Sequence, residues 1–241
     1  MLRKSHIIPE FLYRLTYDEK HRFVLVNRDP DTHPKVFQQG LREDLLCDGC
    51  EVRLSRYEGH ASRVIGGDKR YTVCTYQDRY VIQGVDYARM KLFWMSVLWR
   101  MSISALEMFR AVRLGPHEDT IRRCLDAEDP GGPLDYPALF LAPTVVPGLV
   151  LRSLQSPEPF RILGHKGYRW VVGGIVVVFV VDRRRLDASL EELVLGREGE
   201  LVIIRDRDGS AAKVFNQLIH GMESLARVHR PDSRPAGTQR R

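Results

Sequence analysis

Two thiols two residues apart, Cys47-Asp48-Gly49-Cys50, followed directly by Glu51, are the densest group of side chains able to do chemistry in this 241-residue chain. Thiolates at this spacing on a turn meet one tetrahedral zinc ion, but they make only half of a closed donor set. A helix starting at Asp48 would also lower a thiol pKa at its N-terminus, which is the redox reading. Plain packing is the third. The zinc half-site is preferred over the redox pair, because no βα context or proline of the thioredoxin kind surrounds the cysteines. Upstream, His6 lies in Ser5-His6-Ile7-Ile8-Pro9, where a neutral imidazole would be a general base and a plain strand histidine is the bland alternative. Glu58 repeats the face of Glu51 seven residues on and is a second carboxylate candidate, with an exposed helix acid as its default. His60, nine residues past Glu51, falls two and a half turns away and is expected to face elsewhere. His21 and His33 sit in charged, loop-like surroundings, and Cys74 and Cys124 read as small buried hydrophobes.

The elements that must position these groups follow from pattern. Lys4–Pro9 reads as a short strand closed by proline, with Pro9 opening a helical turn. Phe23–Val26 and Lys35–Gly40 are candidate strands on either side of the loop-like Asn27–Pro34. From Asp48, the apolar positions Val52, Leu54, Tyr57, Ala61 and Val64 recur at helical steps until Gly66-Gly67. Tyr71–Tyr76 and Tyr80–Val85 look like strands. Tyr87–Val112 is apolar on nearly every side and is expected to be the spine of a core. Trp94 and Trp99 there are read as core packing rather than base-stacking groups, and Arg100 as a snorkelling or paired arginine. Glu118–Leu125 reads as a short amphipathic helix. Beyond Asp129-Pro130-Gly131-Gly132-Pro133 come strands at Leu139–Pro143, Leu149–Leu154, Phe160–Leu163, Tyr168–Val181 and Leu201–Arg205. Gly173-Gly174 bends or turns the fourth of these. Helices are expected at Leu186–Leu195 and Val214–Val228, with a turn at Asp208-Gly209.

Ser5-His6-Ile7-Ile8-Pro9 followed some forty residues later by Leu46-Cys47-x-x-Cys50-Glu51, and then Tyr57-Glu58, resembles the ββα-metal, or HNH-type, nuclease module, and within it a poorly characterised bacterial group carrying the same motifs. The resemblance continues through Phe93-Trp94-x-x-Val97-Leu98-Trp99-Arg100 and Leu114-Gly115-Pro116-His117-Glu118. It implies an α+β fold with an N-terminal ββα-metal, treble-clef-like module over 1–67, N-terminally truncated if an upstream cysteine pair is missing. A helix-spined α+β companion domain would follow over 68–228, and a disordered basic tail over 229–241. It further implies His6 as the base that activates water and Cys47 and Cys50 as half of a structural zinc site. Glu51 becomes a ligand candidate for catalytic Mg²⁺ or Mn²⁺. The pattern departs from the family at several points. The first Cys-x-x-Cys that should precede the histidine strand is absent from Met1–Ser5, Ser5 stands where many such nucleases have Asp or His, and no second catalytic histidine follows in pattern. Completion of the zinc shell by His21, His33, His60 or Cys74 remains open.

Bulk composition narrows the class less than the motifs do. Of the formal charge of +6, Arg227–Arg241 supplies +4 through five arginines and one aspartate, so the body is only about +2. Basic character is thus a weak pointer to nucleic acid outside the tail. The longest apolar run, Val171–Val181, is too short for the ~20 residues of a membrane-crossing helix. Four cysteines in a chain of this length are no disulfide scaffold, and without a leader at Met1–Pro9 the expected compartment is a reducing cytoplasm. Two functions stand side by side: an HNH-like metal-dependent nuclease or degenerate derivative acting on DNA, and a non-catalytic nucleic-acid-binding or protein-interaction protein with a zinc-knuckle remnant. A protein partner or homo-oligomer is left undefined.

Overall fold

The computed structural model describes residues 1–26, 33–143, 153–162, 164–182, 184, 186 and 188–206. The expected turn at Asp208-Gly209, the helix Val214–Val228, the tail 229–241, and most of Asn27–Pro34 and Leu149–Leu154 lie outside these residues. In chain order the elements are β1 (Leu2–His6), α1 (Glu10–Arg14), β2 (Phe23–Val26), β3 (Lys35–Phe37), β4 (Arg42–Cys47) and α2 (Asp48–Ile65), then β5 (Thr72–Thr75), β6 (Arg79–Gln83), α3 (Tyr87–Ile103) and α4 (Pro116–Ala127). The last part is β7 (Ala138–Pro143), β8 (Ser153–Ile162), β9 (His165–Val172), β10 (Ile175–Val180), α5 (Ala188–Glu191) and β11 (Leu201–Asp206). The architecture is α+β.

Two sheets form. β1 and β4 make an antiparallel pair, and the other nine strands make one sheet in the order β3-β2-β8-β9-β10-β7-β11-β6-β5. Within it β2 runs parallel to β8 and β11 parallel to β7, while the other neighbours are antiparallel. The central strands are buried on both faces, as their unbroken apolar sequence requires. Trp170, Val172, Val177 and Phe179 turn toward α3. Val171, Val176, Val178 and Val180 turn the other way, onto Leu186, Leu190 and Val194. The period-two alternation of side chains converts one valine-rich run into two cores.

The spine helix is shorter than its apolar pattern. Tyr87–Val112 was expected as one helix, yet α3 ends at Ile103 and Ser104 is extended, with ψ 137°. Local periodicity cannot foresee the reason, which is tertiary. The Glu43 carboxylate on β4 accepts from Ser104 Oγ at 2.7 Å and from the Ala105 N–H at 3.0 Å. These bonds take the place of helical ones, and a single 3₁₀ turn at Glu107–Phe109 follows. Gly173-Gly174 forms the tight turn between β9 and β10, both residues with positive φ. In β8, Pro157 falls where the register slips between Gln155 and Glu158, a place in the ladder that spares its missing N–H.

Candidate functional site

β1 and β4 lie antiparallel, with His6 opposite Arg42 and Leu2 opposite Cys47, and α2 starts at the residue after β4 ends. Asp48 and Glu51 in its first turn suit the positive end of the helix. Leu54, Tyr57, Ala61 and Val64 bury one face, and α2 runs out at Gly66 and the left-handed Gly67. Arg53 ties the exposed side to α4, donating to Asp126 at 2.9 Å.

The two residues at the end of β1 point to opposite faces, as neighbours on a strand must. Ser5 is buried and turns toward α2, where its hydroxyl donates to the Glu51 carboxylate and accepts the Leu46 N–H at 3.2 Å. That second bond repairs the ladder at the irregularity between Arg3 and Lys4. His6 turns the other way, toward α1. Its Nε2 accepts from Arg42 Nε at 2.8 Å and lies 3.0 Å from Glu10 Oε2. The structure therefore brings Ser5, not His6, to Glu51, and it surrounds His6 with Glu10, Arg42 and Tyr13.

Burial, and then the Arg42 guanidinium, push the His6 imidazole below its ordinary pKa, with the weaker Glu10 attraction opposing them. The lowered pKa favours the neutral ring, in which the Nε2 lone pair faces Arg42. One nitrogen cannot accept from Arg42 and donate to Glu10 together, so the neutral ring leaves Glu10 Oε2 a buried oxygen without a donor among the described residues. The other carboxylate oxygen of Glu10 accepts from Tyr17 at 3.0 Å. Burial and that hydrogen bond raise the Tyr17 phenol to about 12. Tyr13 packs under the group and accepts the Leu41 N–H at 3.1 Å. Gly40 permits this approach, because a Cβ there would stand 2.6 Å from the Tyr13 ring.

Cys47 is exposed and Cys50 half-buried at the β4–α2 junction, both as free thiols. The Cys50 backbone N–H and then the Cys50 thiol favour the thiolate of Cys47, whereas burial and the nearby Cys47 sulfur push the Cys50 thiol up. Among the described residues no group of three or more His, Cys, Asp or Glu side chains converges as a metal site. Glu51 is held by Ser5, and two thiols alone do not close a tetrahedral donor set. His21 is stacked on Tyr17 and bonded to the Gln38 carbonyl at 3.1 Å, while His60 is buried against Tyr71.

Arg100, from the middle of the molecule, is the group that clamps this region. It is buried on α3 and donates to Glu58 on α2 at 2.7 Å and to the His6 carbonyl at 3.0 Å. Glu58 is thus the partner of a buried arginine rather than a free helix acid. Sequence reading passed over Glu10 and Arg42. The four-residue step from His6 to Glu10 was visible, although Pro9 between strand and helix hides it from both periodicities. Arg42 carries no local signal, since only β1–β4 pairing brings it to His6. No helix among the described residues is long and apolar enough to cross a membrane. No family model, curated protein or solved structure matches the chain.

Proposed function

We propose that this chain is an HNH-derived protein acting on nucleic acid, with His6 as a general base for phosphodiester hydrolysis. The observation that carries the reading is His6 Nε2 held 2.8 Å from Arg42 Nε and 3.0 Å from the buried Glu10 Oε2. The run from the β1–β4 pair directly into α2, with the cysteine pair at the junction, supports the HNH ancestry. An anionic phosphate draws the Arg42 guanidinium off Nε2 and so uncovers the lone pair for a water molecule. When Nε2 takes the proton, it gains a hydrogen bond to Glu10 Oε2, so the product of proton transfer is stabilised by a carboxylate already in place. Tyr17 keeps that carboxylate oriented through its other oxygen. Zinc at Cys47 and Cys50, and Mg²⁺ or Mn²⁺ at Glu51, belong to the same reading. The described donors do not complete either site, so the proton chemistry rests on His6 and its neighbours alone.

The test is cleavage of plasmid and single-stranded DNA by the purified chain with added Mg²⁺ or Mn²⁺, followed across pH. Hydrolysis is expected to vanish in His6→Ala. In the parent it is expected to fall only below the ordinary histidine range, because the base has a lowered pKa. Cleavage by His6→Ala equal to the parent removes His6 from the chemistry. The second reading, a non-catalytic binding protein, draws on the engagement of Glu51 by Ser5 and of Glu58 by Arg100. It predicts nucleic-acid binding without cleavage at any pH or metal supplement.

A further inference from the structure

At the far end of β8 and β9, away from α1, two cations stand directly opposite each other. Arg161 and Lys166 are register partners across the hairpin, one step from its turn, so their side chains share a face. Like charges in that relation destabilise a strand pair. Neither has an acidic side chain as an ion-pair partner among the described residues. The Asp182 carboxylate accepts from the Lys166 backbone N–H at 3.2 Å and is ion-paired with Arg184. Arg161 spends one nitrogen on the Gly164 carbonyl, at 3.2 Å, and keeps the rest of its guanidinium.

A third cation is brought to the same face by a dedicated latch. Tyr168, two residues along β9 from Lys166, accepts the Arg113 N–H at 2.9 Å and donates to the Arg113 carbonyl at 2.6 Å. This holds the loop before α4 against the hairpin, with the Arg113 side chain exposed. Between them lies a cleft of about 570 Å³ lined by Arg113, His117, Pro159, Arg161, Lys166 and Tyr168 among others, and no acidic residue lines it. Pro159, the register partner of Tyr168, shares this face, whereas the Phe160 ring turns to the other side of the sheet, where the Arg169 guanidinium stands 4.5 Å over it and pairs with Glu158. A single phosphate would fill little of this volume, while a phosphate joined to a flat, partly apolar group would use both the cations and the apolar wall of Leu114, Pro159, Tyr168 and Val181.

We propose that this cleft binds a nucleotide unit, its phosphate held by Arg113, Arg161 and Lys166 and its base lodged against Pro159 and Tyr168. The unit is either a free nucleotide or one residue of a single strand. The site stands at the opposite end of β9 from Gly173, where α1 packs through Leu15. It gives the His6 reading a grip on substrate but does not depend on it.

The experiment uses the full chain, a fluorescent oligothymidylate followed by anisotropy at about 50 and 200 mM salt, and thymidine monophosphate as competitor. The variant Arg161→Gln/Lys166→Gln is expected to weaken oligonucleotide binding at least ~10-fold and to lower the salt slope by about one, the share of a single phosphate contact. Its melting temperature should hold, since relief of the like-charge pair offsets loss of the Arg161 bond to the Gly164 carbonyl. Arg113→Gln is the independent second variant, expected to lose several-fold. Competition by the mononucleotide assigns the site to free nucleotides, and failure to compete assigns it to a strand; both uphold the proposal. Unchanged affinity and slope in both variants, or no binding of either probe by the parent, overturns it. His6→Ala is expected to bind like the parent. Cleavage with an inert cleft would sink this proposal alone, and a binding cleft without cleavage would sink the hydrolytic reading alone.

Discussion

Glu58→Gln tests whether one buried ion pair fastens β1, α2 and α3 together. The Arg100 side chain is 2% exposed and the Glu58 side chain 28%, with 2.7 Å between the charged atoms. Removing one partner of a fully buried pair costs about 3–5 kcal/mol, because the other charge is left without compensation. Here water reaches Glu58, and Arg100 keeps the His6 carbonyl, the Ser96 carbonyl at 3.2 Å and Ser96 Oγ at 3.3 Å. These acceptors bring the expected loss down to about 2 kcal/mol. For a chain of this size that is a fall of roughly 4–8 °C in melting temperature. In urea it appears as a lower midpoint at unchanged slope. Arg100→Met removes the stranded charge, so the double variant should be more stable than the two single losses added together predict, by about 1 kcal/mol or more. A Glu58→Gln protein within about 0.5 kcal/mol of the parent would show that the pair contributes nothing, and the clamp would be refuted.

Ser5→Ala strands both the Leu46 N–H and the Glu51 carboxylate, and should cost about 1–3 kcal/mol by chemical denaturation; equal stability would mean that Glu51 has other donors. Gly167→Ala should destabilise by about 2 kcal/mol or more, since a Cβ there would lie 2.1 Å from the Phe179 carbonyl oxygen on the neighbouring strand; a neutral thermal melt would contradict the close β9–β10 approach. Acidification should destabilise the protein just below the ordinary histidine range. Burial lowers the folded pKa of both His6 and His60, so below about pH 6.5 the unfolded chain binds protons that the folded chain refuses. Stability is therefore full above the unfolded value and declines as pH falls toward the folded ones. His60→Gln should flatten that decline, and a melting temperature equal at pH 7.5 and pH 5.5 would count against it.

Much of the framework was legible because it follows from short-range rules. The helix from Asp48 to the Gly66-Gly67 stop is one apolar stripe with an acidic first turn, and α2 spans Asp48–Ile65. Gly173-Gly174 marks a bend or a hairpin in one long apolar run, and the structure makes it a hairpin, with both glycines at positive φ between β9 and β10. Trp94 on the apolar spine packs against Phe93, Phe140 and Trp170, as a helix apolar on all sides demands. The limits of α3 were hidden, because a carboxylate sixty-odd residues upstream ends it at Ser104.

The cysteine pair, His6 and Glu51 stand out in sequence because their types and spacing are local. Which of them meet is a different kind of question. A strand sends consecutive side chains to opposite faces, so Ser5 went to Glu51 and His6 to Glu10 and Arg42. The motif thus determined which residues lie on β1 and at the start of α2. Only the pairing of β1 with β4, and the reach of Arg100 from α3, decided what surrounds them, because those contacts join positions 36 to 94 residues apart whose proximity no local pattern encodes.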